Sequence, residues 1–393
     1  MALQLSFVHF KTGSYIVVEG KFNANFFYIV QKGLVQCSKS SDKGQPVRYG
    51  PGDFIGVVPC MSGHAQIETA IALTDVTVIS VKKEQYPELI AQNTPLALKI
   101  IKSFASRMRT MNDILAQLTL NNISSDTAEQ IFRTAEYYDN AGLMDIAVFA
   151  YYQYLKTKPQ GSNAEMAKKR FVALKPRTHA VFYEPTADLT REYPKDTMIF
   201  SESQSGAEMF IIQEGQVSIS KVVDGKEVTL ALLKQGDMFG EMTLLEHKPR
   251  SASAIAHTDC RLMVVNRSNF DQMVSTQPQL ISRLTTTLAD RLWSMYRQIE
   301  NAYLKDPVHK MIDMISLQVE KQKIKCDRPN VQWQSDLTAQ DIVNMCGIPA
   351  NLAPKAVYDF QNLSFIKIID GKILVKDCYE VSKQAAFFKK TGK

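Results

Sequence analysis

Apolar residues recur at helical spacing along two long segments: Leu96, Ile100, Phe104, Met108, Met111, Leu115 and Leu118 in one, and Leu280, Leu284, Leu288, Leu292, Met295, Ile299 and Ala302 in the other. Steps of four mix with steps of three, drawing a narrow stripe suited to a helix that pairs with another along a seam. A helix lying on the strands that precede it would use the same stripe, so the pattern leaves both arrangements open. Ahead of each segment the period changes: short β-branched and aromatic runs are punctuated by glycines such as Gly33, Gly44, Gly215 and Gly225, the layout of a small β-roll or barrel. Residues 126–175 return to helical period through Ile131, Ala135, Tyr138, Ala147 and Tyr151, with a further helix predicted over 163–174. After Asp306-Pro307 the pattern predicts a helix over 308–322, two short helices around Cys346-Gly347-Ile348, and a hairpin over 366–375 turning at Asp370-Gly371.

The two halves repeat each other. Residues 50–118 align without gaps on residues 234–302, each position 184 further on, matching Gly52 with Gly236, Asp53 with Asp237, Gly56 with Gly240 and Thr74 with Thr258. The expected class is therefore multidomain α+β: a roll with its long helix over 1–120, a helical region over 126–175, a second roll with its helix over 176–304, and a small helix-rich domain over 305–393. A chain of 393 residues with 45% hydrophobic content is long enough for three or four such cores.

Composition excludes more than it identifies. The N-terminus lacks a basic stretch followed by a long apolar run, and no segment approaches eighteen consecutive apolar residues, so the expectation is a cytoplasmic chain without membrane contact. Six cysteines are scattered without a CxxC pair, which argues for buried thiols over disulfides or a metal cluster. The net charge of +6 is unevenly placed along the chain, yet no segment has the basic excess of a strong nucleic-acid binder. Nucleophile-elbow, zinc-helix and phosphate-loop motifs are missing, so an enzyme is not expected.

Chemistry concentrates in residues 236–256. Gly240 can take a strained turn, the short helix after it offers backbone N–H groups, and Glu241 and Arg250 supply one carboxylate and one guanidinium. A planar guanidinium pairs directionally with a phosphodiester, which a lysine would do less well. An ordinary surface ion pair between Glu241 and Arg250 is the bland alternative. At the matching positions the first roll carries Val57 and Gln66, with Gly63-His64-Ala65 in place of His247-Lys248-Pro249, so it keeps the pattern without the charges.

Phe239-Gly240-Glu241 followed by Pro249-Arg250-Ser251-Ala252 resembles the phosphate-binding cassette of the catabolite activator (cyclic AMP receptor) family. The resemblance implies a cyclic nucleotide, cAMP first and cGMP as the alternative, held by Gly240, Glu241, Met242, Arg250 and Ser251: Glu241 on the ribose hydroxyl, Arg250 on the cyclic phosphate. It implies Met295 and Tyr296 of the long helix as the base cap, a degenerate first domain that binds no cyclic nucleotide this way, and no cofactor. Residues 126–175 resemble one tetratricopeptide repeat, read as a spacer. The C-terminal segment resembles the family's winged helix-turn-helix, with Asn351 and Lys355 as the DNA-facing residues; Pro354 within the recognition segment predicts a shortened or bent helix. Two outputs stay open, transcriptional regulation on DNA and contact with a protein partner. So do a homodimer and pairing of the two long helices within one chain.

Overall fold

The computed structural model describes residues 5–22, 24–39, 46–120, 127–183, 189–223 and 225–391; Gly44 of the predicted turns lies outside them. The first roll comprises β1 (Ser6–Phe10), β2 (Tyr15–Val17), β3 (Phe26–Lys32), β4 (Val35–Ser38), β5 (Val47–Tyr49), β6 (Phe54–Ile55), the short helix α1 (Val57–Ser62), β7 (Thr69–Ala72) and β8 (Val76–Lys82). Helices α2 (Tyr86–Gln92) and α3 (Thr94–Leu120) follow. Two antiparallel sheets, β1-β8-β3-β6 and β2-β7-β4-β5, face each other. Alternation does the folding work: Val76 and Val78 of β8 point inward beside Val30, Val35 and Ile55, while their neighbours face out.

Helices α4 (Thr127–Asn140), α5 (Met144–Thr157) and α6 (Ala164–Leu174) come next. Ala135, Ala147, Ala150 and Ala167 are fully buried, and these small side chains let the helices approach closely. The second roll repeats the first: β9 (Thr190–Tyr193), β10 (Met198–Phe200), β11 (Glu208–Glu214), β12 (Val217–Val223), β13 (Lys226–Leu233), β14 (Met238–Phe239), α7 (Glu241–Glu246), β15 (Ser253–Ala256) and β16 (Cys260–Asn266), in sheets β10-β15-β12-β13 and β14-β11-β16-β9. The α4–α6 layer packs on this roll, burying Met198, Val222 and Ile255 in its core, and Gln130 donates to the Val222 carbonyl at 2.6 Å.

Helices α8 (Arg267–Thr276) and α9 (Pro278–Ala302) close the repeat. The last segment holds α10 (Pro307–Lys321), β17 (Trp333–Thr338), α11 (Ala339–Cys346), α12 (Ala353–Gln361), β18 (Ile366–Ile369), β19 (Lys372–Val375) and α13 (Cys378–Thr391), with a sheet ordered β17-β19-β18. The Asp306-Pro307 break is a helix start: Asp306 accepts from the Val308 and His309 N–H groups, and Pro307 occupies the first turn. A capping box between Thr338 and Asp341 opens α11, and left-handed Gly347 ends it. The segment expected to run as a helix from Pro349 begins only at Ala353, which puts Pro354 in the first turn, where its missing N–H removes no bond.

The chain divides into two compact units, and both long helices are divided with it. One unit holds residues 1–108 and 267–296, the other residues 109–266 and 297–393. Most of α9 therefore groups with the first roll: Trp293 stacks on His64 with ring centres 3.7 Å apart, and the Thr285 and Tyr86 hydroxyls meet at 2.9 Å. The final turns of α3 group with the second roll, where Asp113 pairs with the buried ammonium of Lys221 at 3.1 Å. In that unit Gln298 donates to the Leu230 carbonyl of β13, Asn301 to the Lys310 carbonyl, and Arg297 pairs with Asp313 and Glu320 of α10. Among the described residues no helix is long and apolar enough to cross a membrane.

Candidate functional site

The cassette of the second roll is organised around Gly240, which joins β14 to α7 in the left-handed conformation at φ 79°. A Cβ there would stand 2.6 Å from Arg250 Nη1, so glycine is required both by backbone and by space. Gly206 plays a second such part, since a Cβ on it would meet Arg250 Nη2 at 2.7 Å. Backbone bonds hold the arginine from both sides: Arg250 N–H donates to the Gln204 carbonyl at 2.9 Å, and Ser203 N–H donates to the Arg250 carbonyl at 2.8 Å.

Within this cradle the guanidinium carbon lies over Phe200, 4.1 Å from the ring centre, and Nη1 donates to the Gly240 carbonyl at 2.8 Å. Its buried Nε has no hydrogen-bond partner. Burial pulls the Arg250 pKa down to about 10, while the carboxylates of Glu208 and Glu241 act in the opposite direction. The group stays charged at neutral pH, held where a cation is costly unless an anion joins it. Glu208 is itself engaged by a two-pronged bond from Arg191, at 2.8 and 2.9 Å.

Glu241 opens α7 with 1% exposure and Arg250 is 5% exposed, so both are buried and neither is a surface residue. Met242 is buried behind them, and the Ser251 hydroxyl lies 3.4 Å from its sulfur. The structure thus brings Gly240, Glu241, Met242, Arg250 and Ser251 into one neighbourhood. Met295 and Tyr296 fall elsewhere, in the unit of the first roll, where Lys39 Nζ stands 3.5 Å above the Tyr296 ring. The helix that reaches the second cassette within its own unit is α3. Asn112 Nδ2 lies 3.4 Å from the Ser251 hydroxyl, and Arg109 donates to the Glu246 carboxylate at 2.7 Å and to the Pro249 carbonyl at 3.0 Å.

Sequence reasoning did not single out Arg109 and Asn112, although a signal existed. Met111 and Asn112 precede Met295 and Tyr296 by the same 184 residues that relate the two rolls. Applied to helices that exchange partners, the repeat points to Asn112 at the second cassette.

The first roll keeps the frame and changes its contents. Gly56 is left-handed at φ 70° and precedes the six-residue α1 as Gly240 precedes α7. Behind it Val57 and Gln66 are buried, and neither Gln66 amide atom has a partner. Asn351 and Lys355 are exposed, Asn351 before α12 and Lys355 within it, beside Leu352 at 44% and Tyr358 at 68% exposure. Among the described residues no group of three or more His, Cys, Asp or Glu side chains could hold a metal.

A cyclic nucleotide-binding domain model matches residues 7–93 and 190–277, so the chain carries two copies of that domain. Relatives among curated proteins are regulators. A CRP-like cAMP-activated global transcriptional regulator of Mycobacterium tuberculosis is 24% identical over 195 residues, 49% of this chain and 87% of the relative. A cyclic AMP receptor protein of Thermus thermophilus is 36% identical over 103 residues, 26% of this chain and 48% of the relative. Among solved structures, a mutant CooA from Carboxydothermus hydrogenoformans matches with a TM-score of 0.44 and 19% identity, covering 50% of this chain and 87% of that one.

Proposed function

We propose that this chain is a cyclic nucleotide sensor whose ligand, cAMP in the first instance and cGMP as the alternative, binds the second roll and governs the activity of residues 305–393. The observation that carries the reading is Arg250: a buried, charged guanidinium with an unpartnered Nε, set against two glycines at which a Cβ would meet its nitrogens. A cyclic phosphodiester supplies the missing anion. Glu241, buried at the start of α7, takes the ribose hydroxyl, and Met242 and Ser251 complete the wall. Asn112 replaces Met295 and Tyr296 as the residue facing the base, because its amide lies beside Ser251.

In this reading the domains are those expected above, with residues 126–175 as a tetratricopeptide-like spacer and residues 305–393 as a divergent winged helix. Ligand closing on the cassette shifts α3 and β13, and the shift passes to α10 through Gln298, Asn301 and Arg297. The ligand must bind one arrangement more tightly than the other for this to work. Transcriptional regulation, with Asn351 and Lys355 on DNA, is the first output. A protein-contact output is favoured by one feature, the apolar Leu352 and Tyr358 exposed beside a single lysine on α12.

Calorimetric titration of cAMP and cGMP into the full chain and Arg250→Ala tests the sensor. One saturable site per chain, lost in the variant, supports it; binding that ignores the substitution overturns it. Anisotropy on mixed genomic DNA across a salt series then separates the outputs, because phosphate contacts weaken steeply with salt.

A further inference from the structure

We infer that the first roll carries a second ligand site, one that takes a small zwitterion of the α-amino acid class with an apolar side chain. A cavity of about 80 Å³ opens beside its cassette, walled by Tyr49, Val57, Glu68, Ile100, Phe104 and Arg107. One water needs on the order of 10–15 Å³ on a comparable measure, so the space holds several waters or one small organic molecule. Two of the walls are charged and come from different elements: Glu68 directly precedes β7, and Arg107 belongs to α3. The carboxylate is particular to this roll, for the residue 184 further on is Ala252.

Glu68 is 7% exposed, and among the described residues its carboxylate accepts no hydrogen bond. Its oxygens are nonetheless not enclosed, and the little surface they keep belongs to the cavity the residue lines. Arg107 has five N–H donors and, among the described residues, places one, from Nη2 to the Tyr49 hydroxyl at 2.6 Å. Burial works against the guanidinium charge, but neighbours including Tyr296, Tyr49 and Glu68 carry its pKa above the ordinary value; Glu68 thus acts on Arg107 without forming an ion pair with it. The other cation and carboxylate of the cavity, Lys99 and Asp53, face each other at 3.9 Å, and Lys99 also donates to the Gly52 carbonyl.

A buried carboxylate without a donor is costly, and an ammonium beside it offsets that cost. A simple amine would meet Arg107 as a like charge, and a simple anion would meet Glu68 as one. A molecule carrying both charges satisfies both ends, its ammonium on Glu68 and its carboxylate on the unused N–H groups of Arg107 and the Tyr49 hydroxyl. Val57, Ile100 and Phe104 are left to enclose an aliphatic side chain. A cyclic nucleotide carries a net negative charge and would face Glu68 with the neutral Gln66 standing where Arg250 stands.

L-valine and L-leucine are the probes, each compared with the two molecules that keep one of its charges: isobutylamine and isovalerate for valine, isoamylamine and isocaproate for leucine. All are titrated at millimolar concentration into the full chain, and the amino acids also into Arg250→Ala, Glu68→Gln and Arg107→Gln, with binding followed by ligand-observed NMR and folding by thermal melting. The expected result is saturable binding of at least one amino acid, unchanged in Arg250→Ala and weakened about tenfold or more in the Glu68 and Arg107 variants, the worth of a charged hydrogen bond. Wild type should hold both single-charge relatives of that amino acid at least about tenfold more weakly than the parent, a comparison that stands whether or not a variant folds. A cavity filled by water only, seen as no binding of either amino acid to wild type, overturns the inference. So does undiminished binding in a folded Glu68 or Arg107 variant, or a single-charge relative that binds as well as its parent. Because Arg250→Ala is measured in parallel, failure here is distinguishable from failure of the sensor reading.

Discussion

The two cassettes share a backbone and differ in chemistry. Gly56 and Gly240 both turn left-handed and both precede a six-residue helix. Behind Gly240 lie a carboxylate and a guanidinium; behind Gly56 lie a valine and an amide. Because the strand register and the glycine turn are set by burial alternation and steric freedom, they survive the loss of both charges. What a roll binds is thus decided by a few side chains aimed into it, while the frame is maintained by the core.

The comparison breaks most sharply at Arg250. Removing it should cost about 2–5 kcal/mol of cyclic nucleotide binding, as for other buried charge pairs, whereas Gln66→Ala should leave cAMP affinity unchanged; calorimetry on both variants decides. Equal losses would mean that the rolls are not chemically distinct. The glycines give the next effect. Gly240→Ala must place a Cβ 2.6 Å from Arg250, whereas the nearest atom to a Cβ on Gly56 is the Gln66 amide oxygen at 3.6 Å. Both substitutions pay for a positive φ, about 1–2 kcal/mol, but Gly240→Ala should lower the melting temperature further and weaken cAMP binding as well.

A smaller effect separates the helices. Asn112→Ala should change the ratio of cAMP to cGMP affinity by about three- to tenfold, the worth of one hydrogen bond. Tyr296→Ala, altering a residue of the other unit, should leave that ratio alone. Competition binding on the two variants would reverse the assignment if Tyr296 moved the ratio and Asn112 did not.

Much of the architecture is legible in the sequence because it rests on local rules. The repeat of 184 residues, the glycine turns and the apolar stripes predict two rolls and two long helices, and the Asp370-Gly371 turn does join β18 to β19. The cassette is legible for the same reason, since Gly240, Glu241 and Arg250 lie within one turn-and-helix segment. The partners of the long helices were not, because a stripe on α9 reads the same whether it meets its own roll or the other. Gly206 escaped notice because its importance lies in an arginine far along the chain. Gln66 reads as an ordinary polar residue until burial shows that its amide has no partner.

The division of α3 and α9 has a practical consequence for anyone cutting the chain. A fragment starting at residue 177 would carry the second roll without residues 109–120, which supply Asn112 and one of the two carboxylates paired with Lys221, and would leave Trp293 and Thr285 without His64 and Tyr86. The boundaries visible in the repeat are therefore not places where the polypeptide comes apart. Each roll depends for its finished surface on a helix encoded with the other, so expression clones, protease nicks and evolutionary recombination at the repeat junction all sever contacts that belong to both.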